Sequence, residues 1–328
     1  MATVLILGAA GMLGRKVTER LLADRVIGGE NVERLVLQDV VPPSAPNHRD
    51  IEIEVRCSDL SRSGEAEKLI AARPNYIIHL AAVVSGEAEA DFEKGYTINL
   101  DGTRSLFEAI RQAGDSYRPR LVFTSSAAVF GAPYPEIIED DFLAAPLTSY
   151  GTQKAMCELL LSDYTRRGFF EGVGIRLPTI CVRPGAPNKA ASGFFSNIIR
   201  EPLAGNDAIL PVSADVRHCF ASPRSAVGFV MRAAAIESEM IGVRRNLSMP
   251  SLSATVEQQI ESLRRIAGER VAARIRVQPD PSIQRIVAGW PQRFNANRAC
   301  KLGFTAESSF DEIIRAHIDD ELNGEFVR

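Results

Sequence analysis

The sequence predicts an α/β fold: a doubly wound parallel sheet followed by a smaller C-terminal α/β lobe. Three observations predict it. Strand-like and helix-like stretches alternate from the first residues to about residue 180, the pattern of parallel strands joined by right-handed helical crossovers. The first strand runs directly into glycines at positions 8, 11 and 14. Past Pro178 the alternation gives way to loop-like segments and separate helices.

Residues 4–7, Val-Leu-Ile-Leu, are an apolar run of the kind that forms a strand buried on both faces. Gly8 ends it, and residues 12–22 carry Leu13, Val17, Leu21 and Leu22 at helical spacing. Strand, glycine turn and helix together suit a dinucleotide. Glycine allows a tight turn, and the backbone N–H groups of Gly8, Gly11, Met12, Leu13 and Gly14 lie where a pyrophosphate meets the helix N-terminus. The spacing is G-x-x-G-x-x-G rather than G-x-G-x-x-G, and an ordinary strand-to-helix turn is the plainer alternative.

Residues 34–38 form the next strand, which ends at Asp39. An acid there binds both ribose hydroxyls and repels a 2′-phosphate, so it selects NAD over NADP. A third strand covers 51–56, with Asp59 and Leu60 just beyond it towards the adenine. Strands at 76–80, 120–124 and 172–176 alternate with helices at 96–113 and 150–167. Then come a loop at 183–189 and helices at 194–203, 225–236, 255–267 and 310–322. These elements divide the chain into a Rossmann cofactor domain at 1–177, to which 216–240 returns, and a substrate lobe at 178–328.

At 328 residues, 45% hydrophobic and 24% charged, the chain can bury a large core. A net charge of −3 offers nothing to nucleic acid. The five cysteines (57, 157, 181, 219, 300) are scattered and the four histidines (48, 79, 218, 317) do not cluster. That pattern argues against disulfides and metal, and for a reducing compartment. The apolar start lacks a basic flank, and no stretch is apolar enough to span a membrane. The expected location is the cytoplasm.

Tyr150 and Lys154 lie four apart on a predicted helix and share a face. A free phenol titrates near pH ~10, and lowering that by about three units takes roughly 4 kcal/mol. The Lys154 ammonium and a positive nicotinamide in a partly desolvated cleft would supply it. Tyr150 would then accept a hydroxyl proton while hydride leaves the same carbon. Ser126, just past a strand end, faces the crevice and hydrogen-bonds the reacting oxygen; Ser125 exchanges that role in a one-residue misalignment.

With these motifs the chain resembles the extended short-chain dehydrogenase/reductases, the NAD-dependent epimerase/dehydratase family, over almost its whole length. The glycine loop, His79-Leu-Ala-Ala82, Asn99-Leu-Asp-Gly-Thr103, Ser125-Ser126-Ala-Ala-Val-Phe-Gly131 and Tyr150-x-x-x-Lys154 carry the resemblance. It implies a catalytic set of Ser126, Tyr150 and Lys154 supported by Asn99. It also implies cofactor contacts from Leu80, Ala81, Ala82, Asn99, Tyr150, Lys154 and Pro178. Family members commonly dimerise through the helices holding Asn99 and Tyr150, which implies a homodimer.

The substrate lobe departs from the nucleotide-sugar pattern. Arg176-Leu-Pro-Thr179 has Thr where those enzymes often have Asn, and their later Arg-Asp-Tyr motif becomes Arg217-His-Cys-Phe. Asn246-Leu-Ser-Met-Pro250 replaces an expected glycine-rich segment. The stretches around Arg176–Gly185 and Asn188–Phe195 resemble the D-erythronate dehydrogenase branch, which oxidises a small sugar acid at C2 with NAD. That resemblance implies that Arg183 or Arg217 clamps the carboxylate and that Ser126, Thr179, Asn188 and Ser192 read hydroxyls. The alternatives are a nucleotide-sugar (UDP-hexose) 4-epimerase with tightly held NAD, and a non-catalytic NAD-binding scaffold on the same fold.

Overall fold

The computed structural model describes residues 1–185 and 192–327; Asn188 lies outside the described residues. The strands that matter here are β1 (Ala2–Leu7), β2 (Glu30–Asp39), β3 (Glu52–Cys57), β4 (Tyr76–His79), β5 (Arg120–Ser126), β6 (Glu171–Leu177), β7 (Thr179–Ile180), β8 (Arg217–Ala221), β9 (Asn246–Ser248) and β10 (Leu252–Thr255). The helices that matter here are α1 (Met12–Asp24), α2 (Gly102–Gln112), α3 (Ser149–Arg166), α4 (Gly193–Leu203), α5 (Pro223–Ala235), α6 (Val256–Ala267) and α7 (Phe310–Leu322).

The main sheet runs β9-β6-β5-β4-β1-β2-β3 with every neighbouring pair parallel, and Val26–Ile27 adds a short antiparallel edge to β2. The chain winds outward from β1 to β3, then crosses to β4 on the other side of β1. Strand order therefore reverses between β1 and β4, and the crevice beyond their carboxyl ends is the expected ligand site.

The apolar run of β1 feeds two cores. Val4 and Ile6 pack with Val17 and Leu21 of α1 and with Val227 and Val230 of α5. Leu5 and Leu7 pack on the other face with Leu106, Phe107 and Ile110 of α2 and Leu161 of α3. Period-two alternation sends neighbours to opposite faces, so a sheet covered on both sides needs every residue apolar. A third core, built on Phe194, Phe195, Phe220, Val256, Leu263, Ile313 and Ile314, holds the lobe around the small sheet β10-β8-β7.

Two elements differ from the sequence reading. The helix expected at 96–113 begins as a π-helical turn, Tyr96–Asp101, before α2. The segment expected to return at 216–240 splits: β8 joins the small sheet, α5 packs on the large one, and β9 then extends the large sheet along β6. Among the described residues no helix is long and apolar enough to cross a membrane.

Candidate active site

A cleft of about 560 Å³ opens at the carboxyl ends of the central strands, between the large sheet and the lobe. Its floor is the glycine turn. Gly8 has φ +85°, and a Cβ there would stand 2.7 Å from the Ala81 nitrogen, so only glycine suits both the backbone and the packing. A Cβ on Gly14 would meet the Gly8 carbonyl oxygen at 2.2 Å, which lets α1 sit hard against the turn. Gly11 is different, for its Cβ would meet only that same oxygen, at 3.3 Å. It lines the cleft with Met12, Leu13 and Gly14, and the first turn of α1 carries no side-chain cap. An uncapped helix N-terminus facing a cavity, with bare glycine beside it, fits a dinucleotide pyrophosphate.

Asp39 closes this loop. Its Oδ2 accepts from the Ala10 N–H at 2.9 Å, which ties the end of β2 to the glycine turn. Leu80, Ala82 and Pro178 also line the cleft. Ala81 packs under Gly8 instead. Asp59 and Leu60 stand away from the lining: Asp59 Oδ1 accepts from the Ser61 N–H and hydroxyl at 3.0 and 2.7 Å, and Leu60 is buried in a core.

The cleft brings together Ser126, Tyr150 and Lys154. Thr148 caps α3 by accepting from the Gly151 N–H at 3.1 Å. A Cβ on Gly151 would lie 2.1 Å from the Ala128 carbonyl oxygen. This close approach seats the start of α3, and so Tyr150, beside Ser126. Lys154, one turn on, donates from Nζ to the Thr124 carbonyl at 2.9 Å, with its ammonium 4.7 Å from the Phe123 ring centre. Burial pulls its pKa down to about 8.

The protein's own groups do not lower the pKa of Tyr150. Burial pushes its phenol up to about 12, against the opposing pull of the Ser126 hydrogen bond and the Arg183 charge. Lys154 Nζ is 5.8 Å from the Tyr150 ring centre and gives one of its three donors to the Thr124 carbonyl. The protein's own groups therefore leave the phenol protonated.

Both serines line the cleft but differ in their partners. Ser125 is buried and donates to Glu158 Oε1 at 2.6 Å. Ser126 Oγ accepts from the Ala128 N–H at 3.1 Å, which leaves its proton to donate towards the Tyr150 oxygen. Asn99 is buried behind this layer: Oδ1 accepts from the Val83 N–H at 2.9 Å, and Nδ2 donates to Gln153 Oε1 at 2.8 Å and the Val83 carbonyl at 3.2 Å. It clamps the loop after β4 to α3 and is a positioning residue.

On the lobe side the cleft is lined by Thr179, Arg183 and Ser192 among others. Arg183 donates from Nε to the Ile180 carbonyl at 3.0 Å and from Nη2 to Ser192 Oγ at 2.9 Å. It has no carboxylate partner among the described residues. Arg217 stands off the lining, turned to the neighbouring strand, where Nη1 donates to the Ser253 carbonyl at 3.3 Å. Sequence reasoning missed Arg200, His218 and Trp290, which also line the cleft. Arg200 was legible in principle, since Gly193, Ser196, Asn197 and Arg200 share one face of α4. Its charge is neutralised by Glu201, 2.7 Å away.

Residues 4–219 match the NAD dependent epimerase/dehydratase family. The chain belongs to that family. It is an NAD-dependent oxidoreductase of the extended short-chain dehydrogenase/reductase type, and NAD is its cofactor. Two curated relatives of this family, both called D-erythronate dehydrogenase, align over 321 residues: one from Cupriavidus necator at 45% identity, covering 97% of this chain and 98% of its own, and one from Haemophilus influenzae at 40%, covering 97% and 99%. A solved structure from Agrobacterium tumefaciens, described as a nucleoside-diphosphate-sugar epimerase, superposes with a TM-score of 0.97 at 62% identity, covering 99% of this chain and 95% of that one. The descriptions of these family members thus divide between a sugar acid and a nucleotide sugar.

Proposed function

We propose that the protein oxidises D-erythronate, or a closely related small sugar acid, at C2. The observation that carries this reading is Arg183. Its guanidinium is largely buried, lacks a carboxylate partner among the described residues, and stands close enough to Tyr150 for its charge to act on the phenol. In a 2-hydroxy acid the carboxylate is bonded to the very carbon that loses hydride, so its clamp must sit beside the base. Two of the five N–H donors of Arg183 are used in the bonds described, which leaves capacity for a carboxylate. A nucleotide diphosphate needs no cation at that point.

NAD, when bound on the glycine turn, would supply the hydride acceptor and a positive charge to the site. Ser126 would donate to the reacting oxygen; Tyr150, ionised once the bound cofactor's positive charge offsets the burial that holds its phenol at about 12, would take the substrate proton, with Lys154 adding positive charge under the site. The Asp39 carboxylate holds the adenosine ribose. Residues 1–177, with α5 and β9, serve as the cofactor domain and the remaining C-terminal residues as the substrate lobe. Met156 and Leu159 on the outer face of α3, and Phe92 before the π turn, are exposed apolar side chains. They suit a homodimer built on these helices. The free cysteines suit the cytoplasm.

The test is an NADH absorbance assay. Steady NADH formation from D-erythronate and NAD supports the reading. No NADH from four- to six-carbon sugar acids, together with interconversion of a UDP-hexose, would assign the protein to the epimerases. Tyr150→Phe should lower turnover at least ~100-fold while NAD affinity stays within about twofold, because the phenol oxygen serves the chemistry rather than the cradle.

A further inference from the structure

The lobe side of the cleft holds a polar pair that hydride transfer does not use. Thr179 Oγ1 lies 2.6 Å from His218 Nε2, and both residues line the cleft. The other ring nitrogen, Nδ1, lies 3.2 Å from the Pro291 carbonyl oxygen. A carbonyl only accepts, so Nδ1 carries the proton. In a neutral ring Nε2 is then an acceptor, and the Thr179 hydroxyl must donate to it.

The ring is held in that orientation from three sides. It stacks on Phe195 with centroids 5.2 Å apart and planes 4° apart, meets the edge of Phe220 at 5.4 Å, and lies 5.1 Å from Trp290. Burial lowers its pKa to about 4; the Arg183 charge acts the same way and the Pro291 carbonyl opposes it. The ring is neutral at physiological pH.

We propose that His218 is a positioning residue that turns Thr179 into an obligate hydrogen-bond acceptor toward the cleft, where it reads a substrate hydroxyl other than the reacting one. With its proton given to His218, Thr179 offers only lone pairs. A hydroxyl donor satisfies them. A carbonyl, carboxylate or phosphate oxygen at the same place would set lone pair against lone pair. The pair thus specifies a polyhydroxy acid and rejects its deoxy counterpart, since an acceptor covered by bound substrate would lose its partner. The identity of that acid rests on the proposed function; the polarity of Thr179 does not.

Two measurements test it. The first compares kcat/KM for D-erythronate with its 3-deoxy and 4-deoxy counterparts. One of the two should fall at least ~10-fold below D-erythronate in the unmodified enzyme. Thr179→Val should abolish that ratio by raising KM for D-erythronate with kcat little changed. His218→Phe, which keeps the stacking, should reduce the ratio, and adding it to Thr179→Val should change the ratio no further. If His218→Phe lowers all substrates alike, the positioning role is wrong. The second measurement needs no substrate. With 15N-labelled histidine, the His218 signals, assigned by their loss in His218→Phe, should show a protonated Nδ1 and an unprotonated, hydrogen-bonded Nε2. The opposite tautomer would overturn the proposal. The expected tautomer in an enzyme that oxidises no sugar acid would overturn the substrate reading and leave the polarity of Thr179 standing.

Discussion

Gly11 and Gly14 look equivalent in the motif but serve different partners. Gly14 is demanded by the fold, since its Cβ would lie 2.2 Å from one backbone atom and 2.6 Å from another. Gly11 has φ −68° and ψ 167°, a conformation open to any residue, and internal contact only at 3.3 Å. Its missing side chain leaves room for the ligand. Gly11→Ala should therefore raise KM for NAD at least ~10-fold while the melting temperature stays within a few degrees. Gly14→Ala should cost about 1–3 kcal/mol of stability. Calorimetry alongside NAD titration separates the two, and equal destabilisation by both would refute the assignment. The motif alone showed where the cradle lies, not which glycine faces the ligand, because that depends on what stands opposite each Cα. The serine pair makes the same point. Ser126 was separable from Ser125 only by register against relatives until Glu158, 33 residues on, was seen to take the Ser125 hydroxyl.

Along the elements, periodicity located the parallel strands and long helices because burial on both faces of a sheet writes itself as continuous apolar runs. It could not locate β9, which is three residues long and paired only on one side. Nor could it locate the π turn, whose residues keep helical spacing. The Asn99 carbonyl there accepts from the Thr103 hydroxyl at 2.7 Å and the Cys157 thiol at 3.3 Å, both set by packing rather than pattern. Arg183 and Arg217 were equally eligible clamps in sequence; only the folded lobe places one in the cleft. The join between α3 and β6 was equally hidden. Arg176 and Glu158 form a bidentate pair at 2.9 and 2.7 Å, with side chains 13% and 4% exposed. Removing one partner strands a buried charge, so Glu158→Ala should cost about 3–5 kcal/mol. Replacing both by apolar residues of similar volume should cost much less. Urea unfolding of the single and double variants checks this, and additive losses would count against a coupled pair. Because Glu158 also fixes Ser125 next to Ser126, the single variant should lose turnover even where it remains folded.

At the scale of the molecule, three of the four histidines are buried, on β4, β8 and α7, and their response to pH belongs to the fold as a whole. Burial is the leading cause that lowers His79 to about 3, His218 to about 4 and His317 to about 4. Each is neutral in the native state, whereas an unfolded histidine titrates near ~6.5. Below that value the unfolded chain binds protons that the native chain refuses, so stability falls with falling pH. The contribution is fully present above pH ~6.5 and drains away towards about 4, at roughly 1.4 kcal/mol per pH unit for each group. By pH 5 the three together remove on the order of 6 kcal/mol, a large part of ordinary domain stability. Carboxylates held low by their partners, such as Asp311 beside Arg265 and Glu312 beside Ser308, act only below the usual carboxylate range and leave this window to the histidines. Unfolding free energies measured in urea at pH 7.5, 6 and 5 should therefore drop steeply over the last step. His317 lies outside the cleft lining, and its two ring nitrogens have no hydrogen-bond partner among the described residues. His317→Leu should flatten the slope by about a third and leave NAD affinity unchanged. A stability that stays level from pH 7.5 to 5, or a slope untouched by His317→Leu, would show that these rings are not held neutral by the folded cores.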